Sequence, residues 1–137
     1  MAKDIYHSTV KIALEKDGWT ITDDPLTLAI GERSVYVDLG AEKLLTAEKE
    51  EQKIAVEIKS FLSRSPVKDL EVALGQYVLY KGIMTYREEK RQLYLAIRDD
   101  VYLDIFSEPI GRIFIENHQL NIIVFDPLAE EIVKWIN

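Results

Sequence analysis

The stretch KIAVEIKSF, residues 53–61, has the alternation of a β-strand and decides the fold class. Side chains in a strand point alternately to its two sides. One face of this strand is apolar and consists of Ile54, Val56 and Ile58. Glu57 and Lys59 fall together on the other face, roughly 6–7 Å apart. The apolar face predicts burial against a core, so the charged face needs either water or a partner.

The segments before this strand alternate between helical and extended patterns. Residues 4–17 have helical apolar spacing, and Gly18 is placed to end that helix. Strands are predicted for WTITDD (residues 19–24) and SVYVDLG (residues 34–40), the second of which is rich in β-branched and aromatic residues. The connection AEKLLTAEKEEQ (residues 41–52) is highly charged, which predicts an exposed link between two paired strands.

The segments after it continue the alternation. Ser65 and Pro66 predict the start of a long helix over residues 67–86. Strands are predicted for RQLYLAI (91–97) and LNIIVFD (120–126), with short helices between them. A closing helix is predicted to be capped by Asp126, to begin at Pro127 and to place inward Leu128, Ile132 and Trp135. The resulting order is α-β-β-β-α-β-α-β-α, which predicts a mixed central sheet flanked by helices.

Length and composition predict one soluble globular domain over residues 1–137, with 47% apolar and 30% charged residues. The absence of cysteine excludes disulfides and thiolate metal sites. No apolar run approaches the ~18 residues that span a bilayer. The N-terminus MAKDIYHSTV lacks the apolar core of a signal peptide, so we expect a cytoplasmic protein without membrane contact.

The net charge of −7 argues against general affinity for nucleic acid, because phosphate contacts supply most non-specific binding. The charge is unevenly spread, however. Residues 59–91 carry a net charge of +3, which leaves −10 for the rest of the chain. A local basic groove therefore remains compatible with the sequence.

A candidate metal site involves Asp38, which interrupts the strand formers of SVYVDLG. If that strand pairs with KIAVEIKSF, Asp38 and Glu57 converge, with Lys59 beside them. Two carboxylates at one point favour a hard cation, and Mg²⁺ is usually held by one or two carboxylates together with waters and phosphate oxygens. Such an ion activates bound water, and an adjacent ammonium could orient that water or stabilise developing charge.

The alternative is a solvated strand face, on which Glu and Lys two positions apart are common. Periodicity alone favours that alternative, and the set of Asp38, Glu57 and Lys59 followed by a polar helix residue favours the site. That residue is Gln76, which shares a helix face with Tyr80. Taken singly, Gln76 is a polar residue at a helix edge and Tyr80 a core aromatic.

Gly75 costs the helix about 1 kcal/mol relative to alanine, which predicts a close backbone approach there.

Other chemistry has little support. His7 and His118 lack metal-ligand partners and are expected to be structural and partly exposed. The tyrosines could stack on bases, but core packing is favoured for Tyr77, Tyr80, Tyr86 and Tyr94. Glycine-rich nucleotide loops are absent, and no His/Asp relay accompanies the serines at positions 60, 63 and 65.

Several of these residues match known motifs. Asp38 followed by Glu57-x-Lys59 resembles the metal-binding core of the PD-(D/E)xK nuclease superfamily. Gln76-x-x-x-Tyr80 resembles the helix motif of its RecB-like branch, in which Glu15 would match the glutamate of the first helix. The strings VYVDLGAEKLLTAEKEEQKIAVEIKSFL, ALGQYVLY and LYLAI resemble the XisH family, the excision-controlling factors of the cyanobacterial fdxN element.

The resemblance extends from ALEKDGW to EEIVKWI and implies a restriction-endonuclease-like fold with an α-β-β-β-α-β core. It implies a DNA endonuclease in which Asp38 and Glu57 hold Mg²⁺ or Mn²⁺. Lys59 and Gln76 would act in catalysis, with supporting residues Tyr80 and Glu15. It also implies a role in programmed DNA excision with an XisI-like companion and a site-specific recombinase, and a homo-oligomer. The alternative is a non-cleaving regulatory module that assembles with those partners on DNA.

Overall fold

The computed structural model of the chain describes residues 3–44 and 51–137. The middle of the charged connection predicted for residues 41–52 therefore lies outside the described residues, and its two ends, 41–44 and 51–52, belong to strands. The elements, in chain order, are α1 (His7–Lys16), β1 (Thr20–Asp23), β2 (Leu26–Ile30), β3 (Arg33–Val37), β4 (Leu39–Leu44), β5 (Glu51–Ile58), α2 (Pro66–Tyr86), β6 (Gln92–Arg98), α3 (Asp99–Asp104), α4 (Pro109–Glu116), β7 (Ile122–Asp126) and β8 (Glu131–Ile136).

Six strands form one mixed sheet in the order β1-β4-β5-β6-β7-β8. β4 runs antiparallel to β5, whereas β5, β6 and β7 are parallel, with α2 as the crossover between β5 and β6. β2 and β3 form a separate two-stranded sheet. With the small sheet left out, the elements from α1 to β6 follow one another as α1-β1-β4-β5-α2-β6. The prediction of a mixed sheet flanked by helices is confirmed.

The large sheet is buried on both faces, because helices pack against each of them. Ile54, Val56 and Ile58 form one core with residues of α1 such as Val10 and Leu14, which confirms the predicted apolar face. The opposite face forms a second core with α2 and the small sheet, and includes Ala55, Leu95, Val37 and Tyr77. Glu57 belongs to this second face and is therefore enclosed between the sheet and α2.

The start of α2 has the predicted cap. The Ser65 hydroxyl accepts a hydrogen bond from the Lys68 backbone N–H at 3.2 Å, and Pro66 occupies the first turn. Of the four tyrosines predicted to be in the core, Tyr77, Tyr80 and Tyr94 are buried. Tyr86, at the last position of α2, is instead 78% exposed, so that prediction is wrong for this residue.

The predicted closing helix is wrong, because residues 131–136 form the edge strand β8, antiparallel to β7. The Asp126 carboxylate accepts hydrogen bonds from the backbone N–H groups of Leu128 and Ala129, so it closes a turn instead of capping a helix. Leu128 is 96% exposed, whereas Trp135 packs on the core against Tyr94. A six-residue apolar segment is compatible with the period of a helix and with that of a strand. Its pairing with β7 makes it a strand.

The two histidines differ in their surroundings. His7 is only 5% exposed, which corrects the expected partial exposure, and its Nε2 lies 2.6 Å from Oδ1 of Asp24. His118 is exposed, in the turn after α4. Within the described ranges no helix is long and apolar enough to cross a membrane.

Candidate active site

The site begins at a bend in the chain at Asp38. The predicted strand SVYVDLG is two strands, because β3 ends at Val37 and β4 begins at Leu39. β3 belongs to the small sheet and β4 to the large one, so the chain changes sheet at Asp38. The Asp38 Oδ2 atom accepts a hydrogen bond of 2.8 Å from the backbone N–H of Ile58. This bond ties the bend to the end of β5.

Glu57 is buried beside this bend, with 5% of its surface exposed. It lies between two apolar neighbours along β5 and opposite Leu95 of β6. Its Oε1 atom accepts a hydrogen bond of 3.3 Å from the backbone N–H of Asp38. Asp38 thus donates one hydrogen bond to Glu57 and accepts another from Ile58, so two bonds join the Asp38 bend to the end of β5.

The surroundings of Glu57 disfavour its charged form. Burial, followed by the negative charge of Asp38, raises the pKa of Glu57 to about 8, and the nearby Lys59 opposes this rise only in part. Without a cation, Glu57 therefore keeps a proton at neutral pH.

Lys59 lies between the buried Glu57 and solvent. Its Nζ atom lies 3.3 Å from Oε2 of Glu57, and its side chain is 23% exposed. Its backbone N–H donates to the carbonyl of Ala96 in β6, which fixes the backbone just beyond β5. Lys59 lines an open pocket of about 260 Å³ with Asp4, Ser60, Phe61, Leu62, Ser63, Asp69 and Val72. A ligand in this pocket would meet the Lys59 ammonium, which lies 3.3 Å from the Glu57 carboxyl.

α2 supplies the other predicted residues. Tyr80 is 7% exposed, and burial together with the charges of Glu57 and Asp38 raises its pKa to about 12. Gln76, one turn earlier, is half-buried, and its Oε1 is a buried acceptor without a hydrogen-bond partner among the described residues. The predicted close approach at Gly75 is wrong, because a Cβ there would meet nothing within 4 Å.

Glu15 is not brought to this site. It is exposed on α1, and α1 packs on the face of the sheet opposite Glu57. The acidic residue that reaches the Lys59 pocket from this part of the chain is Asp4. Its Oδ1 accepts a hydrogen bond from the Tyr6 backbone N–H, which is the ordinary role of an aspartate before a helix. The sequence therefore gave no signal that distinguished it.

Asp38 and Glu57 can supply part of the coordination shell of a hard divalent cation. In residues 3–44 and 51–137, no group of three or more His, Cys, Asp or Glu side chains is arranged to hold a metal ion. Asp38 and Glu57 provide two carboxylates, which is the number that Mg²⁺ commonly takes from a protein when water and substrate oxygens complete its shell. The raised pKa of Glu57 is consistent with this, since Lys59 offsets the burial of Glu57 and the charge of Asp38 only in part.

Comparison with known proteins identifies the family. The model of the XisH protein family matches residues 1–133. The chain belongs to the XisH family. Two crystal structures, each with a TM-score of 0.87 and 40% identity, cover 98% of this chain and 100% of their own. One is an XisH family protein from Nostoc punctiforme and the other an fdxN element excision controlling factor protein from Anabaena variabilis. No curated protein matches the chain.

Proposed function

We propose that this XisH family protein is a metal-dependent DNA endonuclease with a restriction-endonuclease-like fold of the PD-(D/E)xK type. The observation that carries the proposal is the convergence of Asp38 and Glu57 on one point, with Lys59 Nζ 3.3 Å from the Glu57 carboxyl. A buried glutamate with a raised pKa, beside a second carboxylate and an ammonium that lines a pocket, is typical of a functional site. A solvated strand face, the alternative, would leave Glu57 exposed.

The roles follow from where each side chain lies. Asp38 and Glu57 would hold Mg²⁺ or Mn²⁺, which supplies an activated water and neutralises charge on the phosphoryl group when bound. Lys59, at the mouth of the site, would orient the attacking water or stabilise the negative charge of the transition state. The free Oε1 of Gln76 can accept a hydrogen bond from that water. Tyr80 would keep this side of the site closed.

We further propose that the cleavage, or the binding, serves the excision of a DNA element. The Anabaena variabilis relative is named for control of fdxN element excision, and this chain shares its whole fold. An XisI-like companion protein and a site-specific recombinase would be its partners on DNA. The net charge of −7 supports such help, since an acidic protein gains little from the phosphate backbone alone.

The second candidate is a catalytically silent module that binds DNA or these partners. The proton held on Glu57 favours it, because a protonated carboxyl binds a cation poorly. The two candidates differ in one respect only: whether the Asp38–Glu57 pair takes up a cation and cleaves.

The test is a supercoiled-plasmid nicking assay in Mg²⁺ or Mn²⁺ with wild type, Asp38→Asn, Glu57→Gln and Lys59→Met. We expect nicking by wild type alone, with a loss of at least about a hundredfold in each variant, as for removal of catalytic groups elsewhere. Glu15→Gln is the matched control, since its exposed carboxyl lies on the other face, and it should nick like wild type.

Two measurements separate the outcomes. If wild type nicks no better than the three variants, the endonuclease proposal fails. Calorimetric titration with Mn²⁺ then shows whether the pair binds a cation at all. Persistent DNA binding without nicking or cation uptake would favour the silent module.

A further inference from the structure

α2 is apolar on both of its sides. Its inner side packs into the core through Leu70, Ala73, Tyr77, Tyr80, Ile83 and Met84. Its outer side carries four large apolar residues that are at least half exposed: Val72 (51%), Val78 (68%), Leu79 (51%) and Tyr86 (78%). A helix that is apolar all round is typical of one buried on every side. The outer side of α2 therefore lacks a covering partner within the described part of the chain.

The outer residues have the spacing of a helix-pairing seam. Val72, Gly75, Leu79, Gly82 and Tyr86 follow one another at intervals of three and four residues, the interval of the contact positions of a coiled coil. The two glycines face open space, because a Cβ built at either meets nothing within 4 Å. The seam is thus an alternation of exposed large residues and gaps.

We propose that this seam, Val72 to Tyr86, is the interface between two copies of this chain, whose α2 helices pair antiparallel about a two-fold axis. In an antiparallel pair centred between Gly75 and Leu79, Leu79 of each copy lies over Gly75 of the other. Val72 of each copy likewise lies over Gly82 of the other. Each large side chain fills a gap, and the same patch serves both subunits, as a two-fold interface requires.

Charge favours this orientation and this occupant. The seam continues one step earlier at Lys68, which the antiparallel pairing places over the Tyr86 ring of the second copy, in a cation–π arrangement. Glu71 of one copy and Lys81 of the other lie on the same flank at nearly the same height. In a parallel pairing, Glu71 of one copy would instead lie beside Glu71 of the other. Leucine would also stack on leucine and glycine on glycine, which leaves gaps.

The first test is the mass in solution, by sedimentation equilibrium over a range of concentrations. We expect wild type at twice the 15.8 kDa of the chain. Leu79→Glu should raise the dimer dissociation constant by more than about tenfold, since it puts a charge into the apolar seam. Leu103→Glu, at a residue of α3 that is 71% exposed, is the matched control and should remain dimeric.

The second test separates loss of pairing from loss of folding. Gly75→Leu fills the gap that Leu79 of the other copy needs, so the dimer should dissociate. Leucine is a better helix former than glycine, so the dissociated Gly75→Leu subunit should melt no lower than the dissociated Leu79→Glu subunit, which has lost the same pairing. Dissociation without a further loss of thermal stability distinguishes interface from core.

The third test reports the arrangement directly. The chain has no cysteine, so Val78→Cys introduces a single thiol beside the two-fold axis. A short bismaleimide should join two Val78→Cys chains in high yield, and Leu103→Cys chains hardly at all. A monomeric wild type, a dimeric Leu79→Glu or equal crosslinking of the two thiols would overturn the proposal. So would a seam that pairs only with a protein of different sequence.

Discussion

At the scale of single residues, the decisive feature is a carboxyl group held where a charge is unfavourable. Glu57 is enclosed between the sheet and α2, Asp38 lies against it, and Lys59 is its ion-pair partner. Burial comes first among the causes that raise the pKa of Glu57 to about 8. Such a position lowers stability at high pH, and proteins commonly retain such positions at functional sites.

Glu57→Gln should change how stability depends on pH. Between the usual pKa of 4.5 and the folded value of about 8, folded Glu57 holds a proton that the unfolded chain has lost. Raising the pH through this window therefore destabilises wild type, by on the order of a few kcal/mol in total. Glutamine does not ionise, so the stability advantage of the variant over wild type should grow from pH 5 to pH 8 and then level off.

Urea unfolding of both proteins at intervals from pH 5 to 9, with a chelator present, measures this difference. Glu15→Gln serves as the control, because Glu15 is exposed and its replacement should leave the profile parallel to that of wild type. Parallel profiles for wild type and Glu57→Gln would show that Glu57 titrates normally.

The residues of this site were predictable to different degrees. Glu57 and Lys59 follow from strand periodicity, and Asp38 from its place among strand formers on the neighbouring strand. That Glu57 would be buried did not follow, because an alternating pattern does not show whether a helix covers the second face. Asp4 could not be found, since its proximity to Lys59 depends on how α1 is placed and not on local pattern.

At the scale of elements, α1 is fastened to the segment before β2 by one carboxylate. Asp24 bonds Nε2 of His7 at 2.6 Å and Nζ of Lys11 at 2.8 Å. Burial alone would raise the pKa of Asp24, but the hydrogen bonds and charges of Lys11 and His7 outweigh it and lower that pKa. The contact joins two consecutive turns of the helix to the loop.

Asp24→Ala should lower the free energy of unfolding by about 1–3 kcal/mol, because it leaves the buried His7 ring without its acceptor. Chemical denaturation at neutral pH measures the loss. Glu116→Ala, which removes an exposed ion pair with Arg112, should cost no more than about 0.5 kcal/mol. Equal losses in the two variants would mean that burial of His7 adds nothing to this contact.

The packing of α4 on the end of α3 depends on Gly111. A Cβ at this position would lie 2.4 Å from the carbonyl oxygen of Ile105 and 2.8 Å from Cα of Phe106, both backbone atoms. Gly111→Ala should therefore destabilise by roughly 1–3 kcal/mol despite alanine's better helix propensity. Thermal melting tests this, with Arg112→Ala on the same helix as a control that should melt near wild type. An unchanged melting temperature for Gly111→Ala would contradict the close packing.

Elements whose ends are marked by local residues were predictable, whereas those that depend on which strand they pair with were not. α2 was found within a residue of its bounds, because Ser65 and Pro66 mark its start. The closing segment was predicted as a helix from Asp126 and Pro127, but its apolar residues pair with β7 instead. The break at Asp38 was missed too, because a single acidic residue among strand formers does not show that the chain changes sheet there.

At the scale of the whole molecule, charge limits where DNA can bind. The chain is acidic overall, and its basic excess falls in residues 59–91. Within that range, Lys59 and Arg64 lie at the end of α2 that carries the candidate site, and Lys90 follows its other end. Arg64 is exposed and directly follows Ser63, which lines the Lys59 pocket. A DNA backbone that reaches the site is therefore expected to pass Arg64.

Arg64→Ala should weaken DNA binding and lower the slope of log affinity against log salt by about 1, the value for one lost phosphate contact. Lys90→Ala removes the same charge from an exposed residue at the far end of α2 and should leave the slope unchanged. Fluorescence anisotropy with a short duplex at several salt concentrations measures both. The two variants have the same net charge, so a difference between their salt slopes shows which end of α2 contacts DNA. Equal slopes for the two variants would show that DNA does not approach by the Lys59 pocket, whatever the chemistry of the acidic pair behind it.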